Sequence, residues 1–110
     1  MWRVRPCKRK KSGVMNKWES AYAERLEMAK KAGEVVSYHY EAVRLTLGFK
    51  TTYTPDFMVV TWDEIQFHEV KGQKYAAGMA KFKVAASLFP GARWVMVEKT
   101  KTGWNTIMDL

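Results

Sequence analysis

The chain has 110 residues, the size of a single domain. Hydrophobic residues make up 47% of it and charged residues 27%, which excludes a disordered, collagen-like or coiled-coil protein. With 19 Lys and Arg against 11 Asp and Glu, the formal net charge is +8, so we expect a polyanionic partner, of which nucleic acid is the commonest.

Several other classes of protein are disfavoured. No apolar run reaches the roughly 18 residues that a membrane span needs, so no membrane partner is expected. The basic N-terminus lacks the apolar core of a signal peptide, which predicts a cytoplasmic protein. The single cysteine, Cys7, cannot form an internal disulfide, and Cys7, His39 and His68 lack the spacing of a zinc site.

Positive charge is concentrated at the N-terminus. Residues 1–11 contain six basic residues and no acidic one: Arg3, Arg5, Lys8, Arg9, Lys10 and Lys11. Because so many like charges do not pack into a core, we predict a flexible arm over residues 1–13 and a folded domain over residues 14–110. We expect the arm to contact nucleic acid; a solubilising tail is the alternative.

A helix is the first predicted element, over residues 15–31. Its apolar stripe has a helical period and consists of Trp18, Tyr22, Leu26 and Ala29. Asn16 and Glu19 have the spacing of a capping box at its start, and Gly33 follows its end.

Three strands are predicted next, from runs of β-branched and aromatic residues over 35–47, 51–61 and 65–71. A second helix follows over residues 75–89, then a strand over 93–98 and a short edge strand over 104–108. A helical crossover joins parallel strands, so the sequence predicts an α/β fold with a mixed central sheet.

Three charged side chains of the second and third strands form the candidate site. Glu69 and Lys71 share one face of their strand, because side chains alternate between faces. A two-residue turn at 62–63 or at 63–64 pairs Asp56 with Glu69 or with Lys71, respectively. Either register places all three on one face, with opposed Cβ atoms about 4.5–5.5 Å apart.

Two carboxylates this close repel each other unless a cation lies between them. Mg²⁺ is a hard ion that is typically held by one or two carboxylates together with water and substrate phosphates. The backbone carbonyl of Val70 lies between the two side chains of its strand and is a further candidate ligand. Lys71 is then placed to orient a metal-activated water and to stabilise charge on a phosphate. A solvated ladder of ion pairs is the structural alternative.

These residues resemble the core of the PD-(D/E)XK nuclease superfamily. The runs Tyr53-Thr54-Pro55-Asp56-Phe57 and Glu69-Val70-Lys71-Gly72 resemble those of phage endonuclease I, a Holliday-junction resolvase, and of related short phage endonucleases. Asn16-Lys17-Trp18-Glu19 is similar to the segment that supplies the first acidic residue of those families. The resemblance covers residues 16–98, although the connection between the two motif strands looks longer than in the resolvase and the C-terminus is shorter.

The resemblance implies a restriction-endonuclease-like core of helix, three-stranded meander, helix and strand. It implies four catalytic residues: Glu19 as a helix-borne acid at or near the metal, Asp56 and Glu69 as metal ligands, and Lys71 as the catalytic lysine. Glu24 and Glu41 are alternatives to Glu19 as the first acid. The implied metal is Mg²⁺, for which Mn²⁺ substitutes.

We therefore expect a Mg²⁺-dependent DNA endonuclease that hydrolyses phosphodiester bonds by metal-activated water. The resemblance further implies branched DNA such as a Holliday junction as substrate, a homodimer, and a bacteriophage protein that works in the host cytoplasm. Further DNA contacts are expected at Gln73, Lys74 and Lys81. The main alternative is a basic nucleic-acid-binding protein that keeps the nuclease fold without cutting; an RNA nuclease is a third.

Overall fold

The computed structural model describes residues 13–71 and 76–110 of the chain, and the bounds of its elements within those residues are as follows. The elements are α1 (Lys17–Lys31), β1 (Ser37–Tyr40), β2 (Leu45–Gly48), β3 (Thr51–Tyr53), β4 (Phe57–Val60), β5 (Ile65–Lys71), α2 (Ala76–Leu88), β6 (Arg93–Lys99) and β7 (Trp104–Asp109). Neither of these helices is long and apolar enough to cross a lipid bilayer.

Five of the strands form one mixed sheet in the order β1-β4-β5-β6-β7. The pair β5–β6 is parallel and the other neighbours are antiparallel, because α2 carries the chain back across the sheet between β5 and β6. The predicted α/β class and mixed sheet are confirmed. β1 pairs with β4 and β4 with β5, both antiparallel, while β2 and β3 intervene in the chain between β1 and β4.

Two of the predicted strands are each divided in the structure. The strand predicted over residues 35–47 is wrong as a single element: it breaks after β1 at Glu41, whose φ of 48° lies in the left-handed region. The strand predicted over 51–61 is likewise wrong, because Thr54, Pro55 and Asp56 separate β3 from β4. The residues between these breaks form a separate two-stranded sheet, β2–β3, which turns at Phe49 and Lys50.

Helix α1 begins where its capping signal predicts. The Asn16 side chain accepts a hydrogen bond from the Glu19 backbone N–H, and the Glu19 side chain accepts one from the Asn16 backbone N–H. This reciprocal pair satisfies two of the N–H groups that a helix start leaves without partners. The first turn of α1 is therefore fixed in place, and Glu19 with it.

The core lies on both faces of the large sheet. On the α1 side, the buried apolar residues are Tyr22, Leu26, Val35, Phe57, Val59, Val70 and Val97. On the α2 side, they are Tyr53, Phe67, Phe82, Ala85, Trp94 and Met96. Alternation along β5 therefore directs Val70 toward α1 and Phe67 toward α2, and this alternation decides where the polar residues of β5 point.

Candidate functional site

The candidate site lies where β4 begins and β5 ends. The Thr61 N–H donates to the Glu64 carbonyl at 2.9 Å, so the turn between these strands is made by residues 62–63. This is the first of the two predicted turns. The register Phe57↔His68 then extends to place Asp56 opposite Glu69.

Asp56 is a largely buried acid with two acidic neighbours. Its Oδ2 accepts a hydrogen bond from the Val70 backbone N–H at 2.8 Å. Burial first, and then the negative charge of Glu69, raise the pKa of Asp56 to about 9, and Glu19 adds to the effect through its charge and a hydrogen bond. Without a cation, the proton on Asp56 removes one negative charge and so reduces the repulsion among these carboxyl groups.

Glu69 is buried on the α2 side of β5 and has a fixed orientation. Its Oε1 accepts a hydrogen bond from the Tyr53 hydroxyl at 2.5 Å, and its Oε2 lies 3.1 Å from Nζ of Lys71. Burial first, and then the negative charge of Glu69, raise the pKa of Tyr53, so this hydroxyl stays a donor. Glu69 and Lys71 thus share a face, as their spacing predicts.

Glu19 reaches the cluster from α1. Its Oε1, besides capping the helix, accepts a hydrogen bond from the Tyr40 hydroxyl at 2.7 Å. Its carboxylate also accepts a hydrogen bond from the Asp56 carboxyl, which helps to raise the pKa of Asp56. The capping role and the site role, which the sequence left as alternatives, therefore coexist in one side chain. Of the other two candidates for the first acid, Glu24 is exposed and Glu41 accepts from the Gly13 N–H at 2.9 Å.

His68 lies beside the cluster in sequence but on the opposite face. Its Nδ1 is 2.6 Å from the Tyr22 hydroxyl and its Nε2 is 2.8 Å from Oε1 of Gln66. Burial, with a contribution from Arg93, lowers the pKa of His68 to about 4. A neutral, hydrogen-bonded imidazole in this position links α1 to the sheet and does not face the acids.

The predicted DNA contacts are mostly outside the described residues. Lys81 is described: it is exposed on α2, and its Nζ donates to the Thr52 carbonyl at 3.2 Å. The others that lie outside are Arg3, Arg5, Lys8, Arg9, Lys10, Lys11, Gln73 and Lys74. Their proposed contacts therefore stay predictions from the sequence.

Two tyrosines of the site were missed as site residues by the sequence reasoning. Tyr53 holds Glu69 and Tyr40 holds Glu19, each through its hydroxyl. Tyr53 lies in the same short sequence segment as Asp56, so its place in the site could have been predicted. Tyr40 gives none, because its proximity to Glu19 depends on how α1 crosses β1.

The cluster offers only oxygen ligands and one ammonium. Over residues 13–71 and 76–110, no three His, Cys, Asp or Glu side chains are arranged to hold a metal ion by themselves. Any metal here must therefore take part of its coordination from elsewhere, as Mg²⁺ does from water and substrate phosphates. In comparisons with known proteins, no family model and no curated protein matches this chain.

Proposed function

We propose that this protein is a Mg²⁺-dependent DNA endonuclease with a restriction-endonuclease-like core. The observation that supports this most strongly is the meeting of Asp56, Glu69 and Lys71 at the junction of two neighbouring strands, beside Glu19 of α1. A buried acid whose pKa is raised by burial and by acidic neighbours, as that of Asp56 is, is expected at a catalytic site more often than in a solvated ladder of ion pairs.

The donor set fits a hard divalent cation. The Asp56 and Glu69 carboxylates, with the Val70 carbonyl, would hold Mg²⁺, and Glu19 would bind it directly or through water. Without a cation, repulsion from the neighbouring carboxylates favours a proton on Asp56. With a cation bound, the same carboxylates would be attracted to the ion. When bound, the ion would polarise a phosphate and lower the pKa of a water molecule. Mn²⁺ would substitute.

The residues of the chain have separate roles around that ion. Tyr53 fixes the rotamer of Glu69, so one ligand is oriented before the metal arrives. Lys71, ion-paired with Glu69, presents its ammonium to the attacking water and to the phosphate that gains negative charge. The basic N-terminal arm would hold the DNA backbone against the site.

Branched DNA is the proposed substrate and a homodimer the proposed assembly, since each of the two strands at a junction needs a cut. Both proposals rest on the resemblance to phage endonuclease I, as does a place of action in the cytoplasm of a phage host. They are separable from cutting itself: a linear duplex that is cut as fast as a junction would remove branch preference and leave the nuclease.

The test is cleavage of end-labelled DNA by wild type and by Asp56→Ala and Asp56→Asn. Wild type should cut in Mg²⁺ and not in EDTA, and both variants should lose more than about 100-fold in rate because a metal ligand is gone. Asp63→Ala is the matched control: it is the same substitution made in an exposed turn at the opposite end of the β4–β5 pair. A four-way junction, a linear duplex and an RNA duplex of one sequence give the substrate class.

The binding-protein alternative predicts a different outcome. Wild type would then bind DNA and cut none of these substrates with Mg²⁺ or Mn²⁺. That result would overturn the nuclease proposal. Binding retained in Asp56→Asn, with cutting lost, would support it.

A further inference from the structure

Lys71 occupies space that only a glycine leaves free. Gly78 lies in the first turn of α2, and its Cα faces the end of β5. A Cβ built at this position would stand 3.2 Å from Cε of Lys71 and would overlap Nζ well inside van der Waals contact. The ammonium that pairs with Glu69 is thus seated directly against the backbone of α2.

Glycine has a cost in this position. Within a helix glycine is less favourable than alanine, so a glycine there calls for a packing or functional reason. Gly78 has no positive φ that would require it. The Lys71 ammonium is the neighbour that a side chain at this position would meet.

The Lys71 ammonium also cannot move far without losing its ion pair with Glu69. The side chain of Lys71 is 14% exposed and that of Glu69 11% exposed, and their 3.1 Å ion pair is enclosed between β5 and α2. A lysine is flexible, so a methyl group on Gly78 would swing Nζ outward at small cost in stability. The swing would break the pairing geometry that the site uses.

We propose that Gly78 is a positioning residue, which keeps the Lys71 ammonium beside Glu69 and hence beside the reacting phosphate. The effect of Gly78 on cleavage rests on the proposed function. Its effect on the position of the Lys71 ammonium does not.

The variant Gly78→Ala separates position from stability. Its helix propensity is higher, so Tm should stay the same or rise, and DNA binding in EDTA should be unchanged. Cleavage should fall about 10- to 100-fold, because a displacement of about 1 Å at a catalytic group has an effect of this size. Gly91→Ala is the control: Gly91 follows α2, lacks a positive φ, and has nothing within 4 Å of a built Cβ.

A double-mutant cycle with Lys71→Ala shows whether Gly78 acts through the lysine. If it does, Gly78→Ala has no further effect in the Lys71→Ala background. Equal fold losses in the two backgrounds would mean that Gly78 acts by some other route and would overturn the inference. So would a Gly78→Ala enzyme as fast as wild type.

A second readout keeps the inference testable if wild type proves not to cut DNA. Acetylation of the folded protein with an amine-reactive ester, followed by peptide mass spectrometry, reports how accessible Lys71 is. Gly78→Ala should raise the labelling rate of Lys71 several-fold and leave that of Lys81 unchanged. Equal rates at Lys71 would contradict the inference, whatever the activity of the protein.

Discussion

At the scale of single residues, the site is built on tyrosine hydroxyls. Tyr40 and Tyr53 come from different sheets, and each donates to one acid of the cluster, Glu19 or Glu69. Each of these hydrogen bonds fixes one oxygen of the carboxylate that accepts it. The orientation of the acids is therefore set before any ligand binds, which is the arrangement found around bound metals.

Tyr53→Phe tests this orientation. The ring is retained in the core, so the free energy of unfolding should change by only about 1 kcal/mol, the net value of one hydrogen bond. The Mg²⁺ concentration for half-maximal cleavage should rise about 10- to 100-fold, the usual effect of losing a partner of a metal ligand. A cleavage titration with Mg²⁺ measures it; an unchanged midpoint would show that Tyr53 serves packing alone.

The raised pKa of Asp56 also predicts how the free energy of unfolding of the metal-free protein depends on pH. The pKa of Asp56 is raised to about 9 in the folded state, whereas an unfolded chain ionises near its ordinary value. The folded state therefore binds more protons between these values, and the free energy of unfolding falls as pH rises, by at most about 1.4 kcal/mol per pH unit.

The variant Asp56→Asn should not show this loss of stability with rising pH, because asparagine does not ionise. In EDTA, urea unfolding should find the variant more stable than wild type at pH 8 and the two nearly equal at pH 4. The pH 4 measurement is the internal control, because folded wild-type Asp56 is protonated there and the same group in the unfolded chain is only about half ionised. A stability difference that stays constant between the two pH values would contradict the burial of Asp56 among acids.

At the scale of elements, the helices and β5 were predictable and the strand breaks were not. Helix α1 has a strong period and a local cap, and both signals act within one segment. The breaks at Glu41 and Pro55 create the separate β2–β3 sheet, whose stability comes from packing on α2. Strand propensity is high on both sides of each break. Because propensity does not report the packing of β2 and β3 on α2, it could not predict the breaks.

The cap of α1 gives a prediction about this element. Asn16→Ala should lower the free energy of unfolding by about 1 kcal/mol, because the Glu19 N–H loses its acceptor. Asn16→Asp, which keeps an acceptor oxygen, should restore most of it. Urea unfolding of the two variants measures this; equal losses would mean that the cap does not support α1.

At the scale of the whole molecule, the net charge of +8 is unevenly placed. Six of the basic residues lie within residues 1–11, while two acids of the site, Glu19 and Glu69, are buried in the fold. The acid cluster was predicted from β5 spacing and a two-residue turn, both of which are short-range features. How α1 brings Glu19 to Asp56 is a long-range packing result that the residues alone did not determine.

Removal of residues 1–11 tests where the DNA backbone is held. The slope of log affinity against log salt concentration should become less steep by up to about 5, since each phosphate contact adds about 0.9. Fluorescence anisotropy on labelled DNA in EDTA measures this slope. Replacement of Lys30 and Lys31 by Gln, at the far end of α1, is the control and should change the slope little. An unchanged slope on removal of the arm would place the contacts elsewhere.

The most direct test of the account is Mn²⁺ binding to the protein followed by electron paramagnetic resonance. The free-ion signal should fall when wild type is added in the presence of DNA, and it should fall much less with the double variant Asp56→Asn, Glu69→Gln. That difference would place a divalent cation between these two carboxylates. Equal signals for wild type and the double variant would contradict the central claim.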